Sequence, residues 1–195
     1  MDLTNADLDA LKEIASIGSG NATTSLSKMI NAPIDISMPE IHFDTCENVI
    51  SEFSDSGYLA LAEMFGDIAG KIIFLFNRKD VLRFVEVLMV KEKGTLENLN
   101  DVEKLAFEEV INIVSGAYMN ALADFFEIRL LPSHPEFLNF FDTTDIAKMI
   151  GRGQKVLVLK SQFMSNEEGI NNMYLIFNEK NLEFLLNIIE MKRAS

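Results

Sequence analysis

The chain has 195 residues, 48% of them apolar, and a formal net charge of −13. That excess of carboxylates argues against nucleic acid and anionic membrane surfaces, which need Lys/Arg patches, and it suits a basic protein partner. Cys46 is the single cysteine, which excludes an internal disulfide and a thiolate metal cluster and fits a reducing compartment. The start, "MDLTNADLDALKEI", lacks the basic and apolar regions of a signal peptide. No apolar run approaches the roughly 18 residues that suggest a membrane span. The expectation is a cytoplasmic globular protein with no nucleic acid, no membrane insertion and a monomeric state.

Taken in chain order, Thr4 with Asp7 three residues later signals the start of a long helix. That helix continues through "LKEIASIGSGNATTSLSKMI" (11–30), and Pro39 then closes a turn. Two strand-like runs follow, "GYLALAEM" and "GKIIFLF", joined by a short polar segment at 65–67 as in an antiparallel hairpin. Asn77, with Asp80 three residues later, caps a helix at roughly 78–90. The stretch "KEKGTLENLND" (91–101) reads as a polar connector. Asn100 with Glu103 then starts a second long helix, and Pro135 closes its turn. The runs "QKVLVLKSQFM" and "MYLIF", joined at 165–169, predict a second hairpin. Asn178 with Asn181 caps a final helix at roughly 179–192.

The chain is therefore written twice. At an offset of 96, Glu13 meets Glu109, Ile17 meets Ile113, Ser19-Gly20 meets Ser115-Gly116, Leu26 meets Leu122 and Pro39 meets Pro135. Later, Phe76-Asn77 meets Phe177-Asn178 at an offset of 101, a drift that fits a loop insertion. The common order of these matches indicates a duplication. It predicts one fused domain built of two halves, about 1–95 and 96–195, with pseudo-two-fold symmetry, since each half alone has a small core and an exposed sheet edge.

The "GSG" at 18–20 invites comparison with a phosphate loop. A dinucleotide loop needs a strand before it and a helix after it, but here the helical period runs straight through. Leu11, Ile14, Ala15, Gly18, Ala22, Ser25, Leu26 and Met29 fall on one face at about 100° per residue. No Gly-Lys-Ser/Thr follows. Gly18 and Gly20 then read as sites of close packing, at a cost of up to about 1 kcal/mol each in helix propensity.

On the opposite face lie Asp9, Glu13, Ser16, Gly20, Thr24 and Ser27. In the second long helix Phe107, Val110, Ile111, Val114, Tyr118, Ala121, Leu122 and Phe125 form the inward stripe. Leu105, Glu109, Asn112, Gly116, Asn120 and Ala123 form the outward one. Glu109 and Asn112 thus stand side by side on a surface where small residues leave room for another molecule. Such a pair lacks a nucleophile, a metal cluster or a nearby histidine, and His42 and His134, in or near turn segments, read as incidental. It suits a bond that is already labile. Hydrolysis of an acyl phosphate needs an in-line water, which an amide can hold without titrating, while a carboxylate beside it can pair with a partner's lysine.

These residues resemble the CheC/CheX/FliY family of response-regulator phosphatases, whose signature runs Asp/Ser-x3-Glu-x2-Asn-x22-Pro. The first copy here reads Asp9, Glu13, Ser16, Pro39; the second reads Leu105, Glu109, Asn112, Pro135. "IGSGNA" is similar to the family's "IGAGNA". Two copies match the CheC pattern, and the expectation is a CheC-like chain without the added switch-binding domain of FliY. The resemblance implies an α/β (α+β) fold with long helices flanking a mostly antiparallel sheet. It implies hydrolysis of the phospho-aspartate of CheY, with Asn112 orienting the attacking water, Glu109 docking CheY and Mg²⁺ held by CheY, so that no metal belongs to this chain. Ser16, shorter than asparagine, makes Asp9, Glu13 and Ser16 a degraded second site, and Leu105 departs from the expected Asp or Ser. CheD is a further implied partner, with "TTDIAKMI" (143–150) in the place of its docking helix. The alternative is a non-catalytic CheC-like adaptor binding CheY or CheD.

Overall fold

Capping side chains set where the helices begin. In the computed structural model, which describes residues 3–51, 53, 57–138, 143–165 and 171–194, the first long helix α1 spans Asn5–Ile30 and the second, α4, spans Asp101–Phe126. Thr4 and Asp7 form a reciprocal capping box on α1, and Asn100 and Glu103 form one on α4, which satisfies two otherwise orphaned amides at each start. Both helices end on a left-handed residue, Asn31 and Glu127. The helices that close the halves are α3 (Arg78–Leu88) and α6 (Glu179–Ala194). The Asn77 side chain accepts the Lys79 amide at 2.9 Å, and that of Asn178 accepts the Asn181 amide at 2.9 Å.

Between these helices run β1 (Ile34–Ile36), β2 (Glu40–Thr45), α2 (Cys46–Ser51), β3 (Tyr58–Gly66) and β4 (Gly70–Phe76). The second half repeats the order as β5 (Leu130–Pro132), β6 (Glu136–Leu138), α5 (Thr143–Ile150), β7 (Lys155–Ser165) and β8 (Asn171–Asn178). The expected joint at 165–169 lies, beyond Ser165, outside the described residues. All strands form one antiparallel sheet in the order β1-β7-β8-β4-β3-β5, with β2 also on β7 and β6 also on β3. The α/β (α+β) architecture with an antiparallel sheet and flanking long helices is thus observed.

The short strands were not foreseen, and they cross over. Strands β1 and β2 of the first half pair with β7 of the second, and β5 and β6 of the second half pair with β3 of the first. The three-residue runs β1, β5 and β6 carry too little periodicity to be read as strands, and only their partners define them; the six-residue β2 was passed over. The exchange is symmetric in register. Ile36 pairs with Phe163, and Pro132, 96 positions on from Ile36, pairs with Met64, 99 positions before Phe163. Tyr58 pairs with Phe76, and Leu157, 99 positions on, pairs with Phe177, 101 positions on. The drift is therefore not one loop insertion. Three residues enter between the short and long strands, around α5, and two enter between β7 and β8. At the centre, Ile73 of β4 pairs with Tyr174 of β8, its own counterpart at the offset of 101, so the pseudo-two-fold axis passes through that pair.

Both signature prolines lie buried in the exchanged segments, Pro39 between β1 and β2 and Pro135 between β5 and β6. A proline cannot donate to a ladder and belongs at an edge or an interruption. Two positions earlier a serine restores the pairing. The Ser37 amide donates to the Gln162 carbonyl at 2.8 Å and its hydroxyl accepts the Gln162 amide at 3.0 Å. Ser133 does the same with Glu63, at 2.8 and 2.9 Å. His42, expected in a turn, lies in β2, whereas His134 stands between β5 and β6.

Both faces of the sheet are covered, which is why the long strands read as unbroken apolar runs. On one face α1, α3, α4 and α6 bury Leu11, Val114, Phe84 and Leu185 against Phe74, Phe76 and Leu175. Phe76 is a hub there, with ring centroids 5.0 Å from Phe107 and 5.5 Å from Phe163. On the other face the short helices α2 and α5 bury Val49, Ile50, Ile146 and Ile150 against Leu59, Ile73 and Ile176.

The two long helices pack against each other antiparallel. Gly18 faces Tyr118, and their counterparts Val114 and Ala22 come together in the same interface. The Tyr118 hydroxyl is buried, and burial pushes its pKa well above the usual tyrosine range. Each helix start is also tied to the terminal helix of the other half. Lys91, just past α3, pairs with the buried Glu103, and Arg193 of α6 pairs with Asp7 at 3.3 Å. The connector is equally anchored, since the buried carboxylate of Glu86 accepts the amides of Gly94 and Leu96, each at 2.9 Å.

Gly18 and Gly20 have opposite roles. A Cβ at Gly18 would lie 2.7 Å from the Tyr118 ring, whereas one at Gly20 would meet nothing within 4 Å. Close packing explains Gly18 but not Gly20. Gly20→Ala is expected to stabilise the protein by about 0.5–1 kcal/mol, the helix-propensity gain. Gly18→Ala is expected to destabilise it by about 1 kcal/mol or more, because overpacking outweighs that gain. Urea unfolding of both variants checks the difference in sign.

The Lys91 ammonium, followed by the Asn100 amide, holds the Glu103 carboxyl below its usual value of 4.5. A depressed folded-state pKa stabilises at pH above the unfolded value, and that contribution fades as pH falls through the folded one. Glu103→Gln is therefore expected to lower stability at neutral pH, with the deficit shrinking as pH drops below about 4.5. Unfolding curves between pH 3 and 7 measure this.

Candidate functional site

The outer face of α4 is fixed by what its inner face buries. Phe107, Val110, Ile111, Val114, Ser115, Tyr118, Met119, Leu122 and Phe126 are buried, while the expected inward residues Ala121 and Phe125 are only half-buried. This leaves Glu109 exposed and Asn112 half-buried on the outward arc, one helical turn apart. The Asn112 amide nitrogen donates to a Glu109 carboxylate oxygen at 3.4 Å, a long contact. Among the described residues it is the only hydrogen bond of the Asn112 side chain. The amide is therefore not committed to its own helix backbone. Beside the pair, a Cβ at Gly116 would meet nothing within 4 Å, so the surface is open to an approaching group.

On α1 the counterpart face has the same outline and different chemistry. Asp9, Glu13 and Ser16 are all exposed. The Ser16 hydroxyl, however, donates to the Lys12 carbonyl at 2.8 Å. Thr24 likewise donates to the Gly20 carbonyl at 2.7 Å, and Asn21 to the Ile17 carbonyl at 2.9 Å. Such back-bonding satisfies a short polar side chain on its own helix. The donors on this face are spoken for, and the one next to Glu13 is too short to reach further. Ser115, at the position equivalent to Ser19, is buried, and its hydroxyl has no hydrogen-bond partner among the described residues.

Three large apolar side chains accompany the α4 pair and were partly missed. Val102 is 63% exposed, Leu105 62% and Ile113 41%. At about 100° per residue all three share the outward arc with Glu109 and Asn112. The wheel that placed Leu105 outward would also have placed Val102 and Ile113 there, so the signal was present. The counterparts on α1 are Ala6, Asp9 and Ile17, of which only Ile17 is large and apolar, and it is half-buried. Near Ala6 the face is further occupied by Arg193, which donates to the Ala6 carbonyl.

The helix α5, which carries "TTDIAKMI", packs on the opposite side of the sheet from α1 and α4. It exposes Asp145, Lys148 and Met149, with Lys148 and Asp145 paired at 2.7 Å. Among the described residues no group of three or more His, Cys, Asp or Glu side chains is placed to hold a metal ion, and no helix is long and apolar enough to cross a membrane.

Comparison with known proteins gives a concordant picture. The model of the CheC-like family matches residues 7–42, the stretch that holds Asp9, Glu13, Ser16 and Pro39. The CheY-P phosphatase CheC of Bacillus subtilis is 27% identical over 135 residues, 66% of this chain and 64% of that protein. The flagellar motor switch phosphatase FliY of the same organism is 22% identical over 146 residues, 74% of this chain and 38% of that protein. The chain thus matches less than two thirds of the length of either curated relative. The crystal structure of Thermotoga maritima FliY superposes with a TM-score of 0.78 at 20% identity, covering 98% of this chain and 100% of that one.

Proposed function

Because the chain belongs to the CheC/CheX/FliY family, we propose that it hydrolyses the phospho-aspartate of a CheY-type response regulator at the outer face of α4. The observation that carries this reading is the Glu109–Asn112 pair, one turn apart on an open surface, with the Asn112 amide held only by a long contact to Glu109. In the reaction the Asn112 amide orients a water in line with the phosphorus. The water oxygen attacks, the bond between phosphorus and the aspartyl oxygen breaks, and inorganic phosphate leaves with the aspartate regenerated. An amide serves because it positions water without changing protonation state. Glu109 pairs with a basic group of the regulator and fixes the docking geometry. In this reading the Mg²⁺ that would offset phosphoryl charge is the regulator's, and no metal ligand is asked of this chain.

In the same reading the chain is one domain of two halves, working as a monomer in the cytoplasm, and α5 is the place to look for CheD. The face of Asp9, Glu13 and Ser16 is a degraded site, since Ser16 is tied to its own backbone. One observation favours a second reading, a non-catalytic adaptor that binds CheY or CheD: neither copy retains every signature residue, with Ser16 in one and Leu105 in the other.

Asn112→Ala is expected to lower kcat by about 10²–10³, the usual loss for a positioning group that acts in the transition state. Its stability should stay within about 0.5 kcal/mol of the parent, as for other surface changes away from the core. Ser16→Ala should keep the parental rate. Glu109→Ala should raise KM as well as reduce turnover, and Ser16→Asn should raise turnover by adding a second working face. Phosphate release from phosphorylated CheY, followed for the four variants beside the parent, tests this. A parent no faster than CheY alone assigns the adaptor role, and loss of activity in Ser16→Ala but not in Asn112→Ala inverts the assignment of the site.

A further inference from the structure

The catalytic reading accounts for Glu109 and Asn112 but leaves their apolar neighbours unexplained. Exposed Val, Leu and Ile scattered singly need no account. Here three of them lie on one arc of one helix, two ahead of the pair and one just after it, and only one of the two duplicated helices has them. Leu105 occupies the position where the signature carries Asp or Ser, and where the first copy carries Asp9. The inner faces of α1 and α4 are constrained alike by mutual packing, but this difference lies on the outside, where packing asks for nothing.

We propose that Val102, Leu105 and Ile113 form an apolar rim that binds the receiver-domain surface surrounding the phosphorylated aspartate, and that Leu105 sets affinity for the activated partner without taking part in the reaction. This rests on the function proposed above. The occupant follows from geometry. Val102 and Ile113 are eleven residues apart, about 16 Å along the helix. A specific interface covers about 800 Å² per partner, a patch roughly 30 Å across. A domain seated over the Glu109–Asn112 pair therefore extends over all three side chains. Glu109 lies between them and supplies the charge that a lysine beside the phosphate would meet, so the apolar contacts surround a polar centre. The contacts are the same before and after the phosphoryl group leaves, so they act as uniform binding, which shows in KM and not in kcat.

Two readouts test the rim, binding and turnover. Binding is measured by titrating the chain with Bacillus subtilis CheY activated by beryllium fluoride, which mimics the acyl phosphate and cannot be hydrolysed. Leu105→Asp is expected to weaken that binding about tenfold or more, as for a central apolar contact, and to raise KM by a like factor with kcat within about twofold. Leu105→Met should restore nearly parental affinity. Leu131→Asp, at an equally exposed leucine on the edge strand β5, should match the parent. Unchanged affinity in Leu105→Asp, or a fall in kcat alone, overturns the rim. So does a dimer of the chain alone that Leu105→Asp dissolves while affinity for CheY stays the same. The two proposals fail separately. A parent that binds without hydrolysis, and loses affinity on Leu105→Asp, refutes the catalytic role and keeps the rim. A parent that neither binds nor hydrolyses removes both.

Discussion

The pairing of β4 with β8 about the Ile73–Tyr174 centre is the constraint on which the rest of the structure depends. Two counterpart strands meet there antiparallel, so everything attached to one is repeated, inverted, on the other. The long helices α1 and α4 must then cross the same face of the sheet in opposite directions, and Gly18 packs directly under the Tyr118 ring in their interface. Their outer stripes face away from the core and present two copies of one pattern. The joint also closes a single layer of residues from both halves, with the Phe76 ring in contact with both Phe107 and Phe163. Each such ring buries a large apolar area, and their tilted contacts add to it.

Exchange of the short strands makes the two halves interdependent. Strands β1 and β2 complete the sheet beside β7, and β5 and β6 do so beside β3. Either half alone would leave a long apolar strand with an unpaired edge, a template for aggregation. The prolines of the signature belong to this arrangement. Each interrupts an edge segment, and the serine two places earlier restores two backbone bonds across the gap. Their constant distance from the Glu-x-x-Asn or Glu-x-x-Ser stretch reflects one connected piece of structure, a helix followed by the segment it hands to the other half. The ion pairs Lys91–Glu103 and Arg193–Asp7 repeat the theme at the helix starts.

Symmetry of the core leaves the surfaces free to differ. Inner positions of α1 and α4 answer to the same partners, and the buried sets correspond closely: Ile14 with Val110, Ala15 with Ile111, Ala22 with Tyr118. Outer positions answer only to solvent and to whatever docks. There the helices part, Ser16 against Asn112 and Asp9 against Leu105. The physical consequence is already visible without a ligand, since the serine hydroxyl is spent on the Lys12 carbonyl while the Asn112 amide has only a stretched contact.

Much of this was legible in the chain as written. Helix starts at Thr4 and Asn100 could be read because a cap is a local interaction between residues three apart. The long strands could be read because burial on both faces leaves unbroken apolar runs, and the outward placement of Glu13, Ser16, Glu109 and Asn112 because helical period alone assigns a face. The duplication appeared as a fixed offset, though its drift could not be resolved into two steps without the strand registers. What only the tertiary structure decided was contact between distant segments. It showed that β1, β2, β5 and β6 are strands at all, that they are exchanged between halves, and that α2 and α5 cover the second face. It separated Gly18, closed by Tyr118, from Gly20, open to solvent, although the two read alike in sequence. It also distinguished a hydroxyl turned back on its helix from an amide left outward. Periodicity reports which way a side chain faces; whether anything is there to meet it depends on residues a hundred positions away.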